Sequence, residues 1–336
     1  MSLLTAIAAA AIPTAIYSML LWWLDRYEKE PLALLAAAFL WGALPAIALA
    51  LVFEVVLSVP LAHLAPGWDA EAWGLAPVVE EPIKGLALIG LFLFARGEFD
   101  GPLDGIVYGA VVGFGFSMTE NMLYFVQYAS DLGVLFWVRG VFFGLNHAFF
   151  TSMTGLALGA VRYARGRWLS ALALGGGLAL AILFHALHNF AVRYELAGLF
   201  FSWLIQSGGV IVVLAVAVLA WRHERRWMEQ ELGDEVQVGV LSASEYEEVT
   251  ASLKRARSQM RALVNGGWTR YRQVRRLHHL ATELAFCKSQ LRIADRYSTC
   301  DERDRLRREI LALRAALGHQ GAAKAPPGLY RDVQHD

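Results

Sequence analysis

Up to residue 221 the chain is divided into seven apolar stretches, each close to the roughly 20 residues that a helix needs to cross a bilayer. They run approximately over residues 3–24, 31–57, 75–95, 103–128, 134–161, 168–192 and 197–221. Hydrocarbon offers no partner to unpaired backbone N–H and C=O groups, so such stretches can span only as helices. The expected fold is therefore all-α, a polytopic membrane bundle of about seven transmembrane helices. Composition agrees: 57% of the 336 residues are hydrophobic and the mean hydropathy is +0.42, beyond the range of an ordinary soluble domain.

A formal net charge of zero conceals two unlike regions. From residue 222 onward lie 21 of the 30 Lys and Arg and 16 of the 30 Asp and Glu. The division expected is a membrane domain over 1–221 and a charged helical tail over 222–336. Loops on one side of the spans hold Arg26, Lys29, Arg96, Arg162, Arg165 and Arg167, and the tail begins with Arg222, Arg225 and Arg226. The opposite loops hold only Arg193. This bias places the N-terminus outside and the tail in the cytoplasm of a multi-pass inner or plasma membrane protein. No Lys or Arg precedes the first apolar run, which reads as a retained span rather than a cleaved signal. The only cysteines, Cys287 and Cys300, exclude a disulfide framework.

Within the tail, helical periodicity covers 243–263 and 268–317, with a break expected at Asn265-Gly266-Gly267. A helical hairpin or coiled-coil arm, able to self-associate or bind a cytoplasmic partner, is the expectation, ending in a disordered segment from residue 318. The basic run over 270–276 suits anionic lipid rather than nucleic acid.

The third apolar stretch carries Glu80, Glu81 and Lys84. Charges in hydrocarbon cost a few kcal/mol each, about 2.5–3.5 on insertion scales, so they mark pairing, a wet cavity or chemistry. Glu80 and Lys84 are four residues apart and share a helix face, and Pro82 between them should loosen the helix. Glu120 follows the small residues Gly109, Gly113 and Gly115, which permit close helix approach. Further polar groups are His147 in the fifth stretch and His185, His188 and Asn189 in the sixth. On straight helices, Glu80, Glu120 and His185 stand about 8–10 Å from the outer membrane surface and His147 about 15–20 Å. Paired carboxylates and imidazoles in one layer are what a buried hydrolytic site needs. A glutamate near a lysine can activate water, and histidines three apart can also hold zinc. Arg139 reads as an interfacial residue or counter-ion, Thr151 as a group bonding its own backbone, and Glu54 as a snorkelling side chain.

These motifs resemble the PrsW family of intramembrane proteases, relatives of the CAAX prenyl endopeptidases and bacteriocin-processing proteases. The matching residues are Glu80-Glu81-x-x-Lys84, Phe116-x-x-x-Glu120, His147 with Phe149, Phe150 and Thr151, and His185-x-x-His188-Asn189, together with the acidic loop Asp25 to Pro31. The resemblance covers roughly residues 1–221 and implies peptide-bond hydrolysis in a single-span membrane protein near the extracytoplasmic leaflet, as in the first cut of an anti-sigma factor. It implies catalytic roles for Glu80, Glu81, Glu120, His147, His185, His188 and Asn189, supported by Lys84. A metal-dependent version would use Glu120, His147, His185 and His188 as zinc ligands. Two other classes compete: an ion-coupled transporter and a membrane sensor that binds a ligand through the buried Glu and His groups. A transporter should show repeated halves, and none is visible.

Overall fold

The structure is a computed structural model that describes residues 2–24, 30–64, 71–95, 98–99, 101–162, 166–294 and 300–318. All regular structure among them is helical. The chain divides into two compact units that meet in sequence between Ala220 and Trp221.

The first unit opens with α1 (Leu3–Leu24) and α2 (Leu32–Trp41). A π-helical turn, Gly42–Ala46, follows and contains Pro45. Proline removes one backbone donor, and a wider turn absorbs that loss without ending the helix. The run then continues as α3 (Ile47–Leu64). Next come α4 (Ala76–Phe94) and α5 (Pro102–Gln127). α4 stays helical through Pro82, where the sequence suggested loosening. The fifth apolar stretch is not one helix: a short α6 (Leu132–Leu135) passes into a π-helical stretch, Phe136–Phe142, and the chain turns at residues 143–145 before α7 (Asn146–Ala160). α8 (Arg167–Ala191) and α9 (Glu195–Gln237) are separated by a single 3-10 turn.

Four helical runs among the described residues are long and apolar enough to cross a membrane: Leu3–Trp22, Leu32–His63, Ala129–Ala160 and Trp168–Leu219. The last contains both α8 and the first part of α9. α4 and α5 are not among them. Buried charge interrupts α4, and α5 is rich in glycine and polar side chains. The unit is turned inside out relative to a soluble domain. Large apolar side chains such as Leu4, Val55, Phe94 and Leu196 are 69–89% exposed, while Glu80, Glu81, Lys84, His147 and His185 are at most 7% exposed. That is the arrangement lipid selects, and it makes the protein a helical membrane bundle.

α5 is the centre of the unit, and its glycines set how near α7 can come. A Cβ on Gly105 would lie 2.0 Å from the Gly155 carbonyl oxygen, and one on Gly113 would lie 2.3 Å from that of His147. Backbones packed this closely carry their side chains into one another's hydrogen-bonding range, which is how His147 is brought to Glu120.

The second unit holds the end of α9, then α10 (Ala243–Thr250), α11 (Ser252–Ala294) and α12 (Cys300–Ala316). Ser242 and Glu245 form a reciprocal capping box that starts α10. α11 kinks at Gly267, whose φ of 67° is open to glycine at little cost, matching the break read from the sequence. Met228, Leu232, Leu277, Leu284, Leu306 and Ile310 lead a core of its own. The predicted disorder beyond residue 318 and most of the acidic loop, 25–29, lie outside the described residues.

Candidate active site

α4 presents Glu80, Glu81 and Lys84 on adjoining positions of one buried face. The Lys84 ammonium donates to Glu80 Oε2 at 2.9 Å and to Glu81 Oε1 at 2.8 Å, and it lies 3.0 Å from His147 Nδ1. An ammonium has three N–H donors and no acceptor, so these contacts use all three. They also fix the His147 tautomer: Nδ1 must accept, which leaves Nε2–H to donate to Glu120 Oε2 at 2.9 Å. The Phe116 ring lies 3.9 Å from Nζ and closes the remaining side of the ammonium.

From α8, His185 Nδ1 lies 2.9 Å from Glu81 Oε1, a bond in which the carboxylate accepts and the ring donates. Thr151 Oγ1 donates to Glu81 Oε2 at 3.1 Å. Glu81 thus has both oxygens engaged and a fully buried side chain. Glu80 is 8% exposed by side chain, and every described bond to it uses Oε2. Glu120 is held from the other side by Arg139 at 2.8 Å, whose Nε also donates to Asn121 Oδ1 at 3.0 Å. These polar groups form one connected network across α4, α5, α7, α8 and the π-helical stretch.

Of the residues singled out in sequence, Glu80, Glu81, Lys84, Glu120, His147 and His185 come together. His188 stands apart. It contacts Asn146, Ser202 and Gln206 at 2.7–3.3 Å in a second polar group one helical turn away. The Phe150 ring stacks on His185 at 4.9 Å and lies 6.4 Å from His188. Asn189, next to His188 on α8, is half-buried. Ser202 and Gln206 were not singled out, and nothing in their spacing marked them. Thr151 serves Glu81 rather than its own backbone, and Arg139 is a counter-ion. His147, placed deeper by a straight helix, reaches the same layer because the chain turns just before it.

The four residues whose donor atoms all lie within 4.8 Å of one another are Glu80, Glu81, His147 and His185. Two carboxylates and two imidazoles suit zinc chemically. Glu120 and His188, expected as ligands, are not in this group. Lys84 Nζ, however, stands within hydrogen-bond distance of three of the four, in the place a metal ion would take. Zinc does not fit among them while the ammonium keeps that position.

The fold and the cluster define a class: a membrane-embedded helical bundle with a buried carboxylate–imidazole site. The model of the PrsW family intramembrane metalloproteases matches residues 30–222. The protease PrsW of Geobacillus kaustophilus is 32% identical over 140 residues, 42% of this chain and 59% of that protein. Its namesake from Shouchella clausii is 29% identical over 184 residues, 55% of this chain and 81% of that protein. That of Bacillus subtilis is 26% identical over 193 residues, 53% and 82% of the two chains. No solved structure matches. The chain belongs to the PrsW family of intramembrane proteases, and the matched region ends where the second unit begins.

Proposed function

We propose that this protein cleaves a peptide bond in a single-span membrane protein, with Glu80 as the base that activates water. The observation that carries the assignment is the asymmetry of the glutamate pair. Glu81 is enclosed, with both oxygens bonded, whereas Glu80 is at the edge of the cluster with Oε1 bonded to none of the described residues. A base needs an oxygen available to the water it deprotonates.

The other groups then have defined tasks. Glu81 positions His185 by accepting from Nδ1–H, which leaves Nε2 as the ring's working nitrogen, the same logic by which a carboxylate orients a catalytic histidine elsewhere. Glu80 takes a proton from water as the oxygen attacks the scissile carbonyl. That proton must reach the leaving amine, and His185 Nε2 is the group to relay it. Lys84, with its three donors committed, holds the two carboxylates together rather than binding substrate. Glu120 and Arg139 fix His147, which in turn holds Lys84. A bound zinc would supply a Lewis acid and an acidified water, and Glu80, Glu81, His147 and His185 would hold it once Lys84 moved away.

The topology proposed is seven spans with the N-terminus outside and the tail cytoplasmic, from the nine-to-one distribution of basic loop residues. The site would then face the outer leaflet, and an anti-sigma-factor-like protein cut on its extracytoplasmic side is the substrate class that suits it. The test is cleavage of a single-span reporter by the purified full chain, with Glu80→Gln and Glu81→Gln, with and without chelator, beside metal analysis. Glu80→Gln should lose about 10²–10⁴-fold in turnover, and chelator should leave the wild type unaffected. Chelator-sensitive activity with one zinc per chain would overturn the metal-free mechanism. A fully active Glu80→Gln would overturn the choice of base.

A further inference from the structure

Between Glu248 and Glu283 the chain has no acidic residue, and in the same interval it has one lysine and seven arginines. The structure shows what this interval presents outward. On the first half of α11, Arg255 and Ala262 face the core at 6% and 7% exposure. Leu253, Met260 and Val264 are 64%, 60% and 75% exposed. At 100° per residue these three fall within about 40° of one another and opposite Ala262. The helix therefore has its ordinary inner face and, on its back, an apolar stripe with no core to enter. Arg257 and Arg261, both exposed, flank that stripe. Past the kink at Gly267, Trp268 is 61% exposed and stacks on Tyr271 at 5.0 Å, with Arg270, Arg272 and Arg275 exposed around them.

We propose that this face of the second unit, residues 253–275, is a peripheral binding surface for anionic phospholipid. Exposed aliphatic side chains, a Trp–Tyr pair and an excess of arginine are the combination an interfacial helix uses; the acids described beside this face are Glu247, on Lys254, and Glu248, near Arg261. A second copy of the chain would set these arginines against themselves, and nucleic acid has no use for the apolar stripe. The chain also enters this unit directly from a membrane-crossing run that ends at Leu219. The tether holds the unit near a bilayer, so even weak lipid affinity becomes effective. The family match stops at residue 222, so this surface is independent of the chemistry proposed for the buried site.

The test is amide hydrogen exchange on the full-length protein in nanodiscs of phosphatidylcholine alone and of phosphatidylcholine with phosphatidylserine. Residues 253–275 should exchange about tenfold more slowly in the anionic discs, and added salt should reduce that protection. Arg257→Glu combined with Arg261→Glu should abolish it, as should Val264→Asp, while exchange in α12 stays unchanged and shows the unit intact. Equal exchange in both discs would overturn the proposal. So would protection that is the same in both lipids and rises with protein concentration, which would assign the face to a second copy of the chain.

Discussion

Both units bury charge, and they balance it differently. In the second unit the accounts close: Arg314 pairs with Glu245 at 2.8 Å, and Lys288 and Arg307 both pair with Glu235, with Asp234 on Lys288 as the fourth member. With Asp304 and Arg303, which join at Arg307, acids and bases in these two groups are equal in number, and the buried imidazole of this unit, His278, meets Glu248 outside them. In the membrane unit, Glu80, Glu81 and Glu120 face only Lys84 and Arg139, and His147 and His185 complete the network. A structural network can cancel its charge and be finished. A network that must take up and return protons needs an acid in excess and groups whose atoms can both accept and donate one, which is what an imidazole ring offers.

Removing Lys84 should break the comparison most sharply. Lys84→Met leaves Glu80 and Glu81 around a lost cation, and breaking a buried pair costs about 3–5 kcal/mol. Folded yield in detergent should fall and turnover should vanish. Adding Glu81→Gln should restore part of the yield, since one uncompensated carboxylate is then neutral. A double variant no better folded than Lys84→Met alone would deny that the ammonium serves to compensate Glu81.

In the second unit the same kind of change should be repairable. Arg314→Met alone strands Glu245, again at about 3–5 kcal/mol. Its guanidinium also donates to the carbonyls of Gly239 and Val240 at 2.8 and 3.1 Å. Arg314→Met with Glu245→Leu should recover part of the loss, because apolar groups replace the buried ion pair at little cost, while the Ser242 N–H and the Gly239 and Val240 carbonyls still lose a partner. Thermal unfolding of the full chain in detergent measures this, and reporter cleavage should be unchanged throughout. No apolar replacement of the Glu80–Lys84 pair should preserve cleavage.

A smaller effect tests how the site is placed rather than what it contains. Gly113→Ala would put a methyl 2.3 Å from the His147 carbonyl oxygen. α5 and α7 must then separate, at about 1–3 kcal/mol of overpacking, and the His147–Glu120 bond lengthens. Turnover should drop more than stability does. Gly90→Ala, where a Cβ meets nothing within 4 Å, is the control that should change neither.

How far the sequence reached differs between the units for a physical reason. Glu80 and Lys84 sit four apart on one helix, and a charge in an apolar run is conspicuous, so these residues stood out in sequence together with His147 and His185, whereas the expected place of His188 beside His185 did not hold. Contacts between elements were not. Arg139 meets Glu120 only because a π-helical stretch turns it inward, and Ser202 and Gln206 reach His188 across two helices. The second unit was read as a hairpin or arm because periodicity reports a helix's faces but not its neighbours. The pair Glu245 and Arg314, 69 residues apart, gave no signal. The turn at residues 143–145 was hidden because Val134 to Val161 is predominantly apolar on both sides of it, and hydropathy does not distinguish one helix from two.

The mildest prediction concerns acid, and it separates the two units because its groups lie in the second alone. Burial holds the His278 imidazole below its usual range, outweighing the Glu248 carboxylate, which at 3.6 Å from Nε2 favours the charged ring. A folded histidine with a lowered pKa contributes stability that is complete above the unfolded value of about 6.5 and is lost as pH falls below it, because only the unfolded chain then gains the proton. Burial also pushes the Glu248 carboxyl up, but His278, Ser258 and Arg261 together hold it below the usual 4.5, so its contribution fades only at pH below that value. Between about 6.5 and 4.5 the loss therefore belongs to His278. Cys287 is a buried thiol in this core and reports its opening. Its labelling in the full chain under mild denaturant should quicken as pH falls through this window, after correction for the reagent's own pH dependence. His278→Gln, which cannot titrate, should flatten that slope. An unchanged slope in the variant would move the acid sensitivity of this unit to another group.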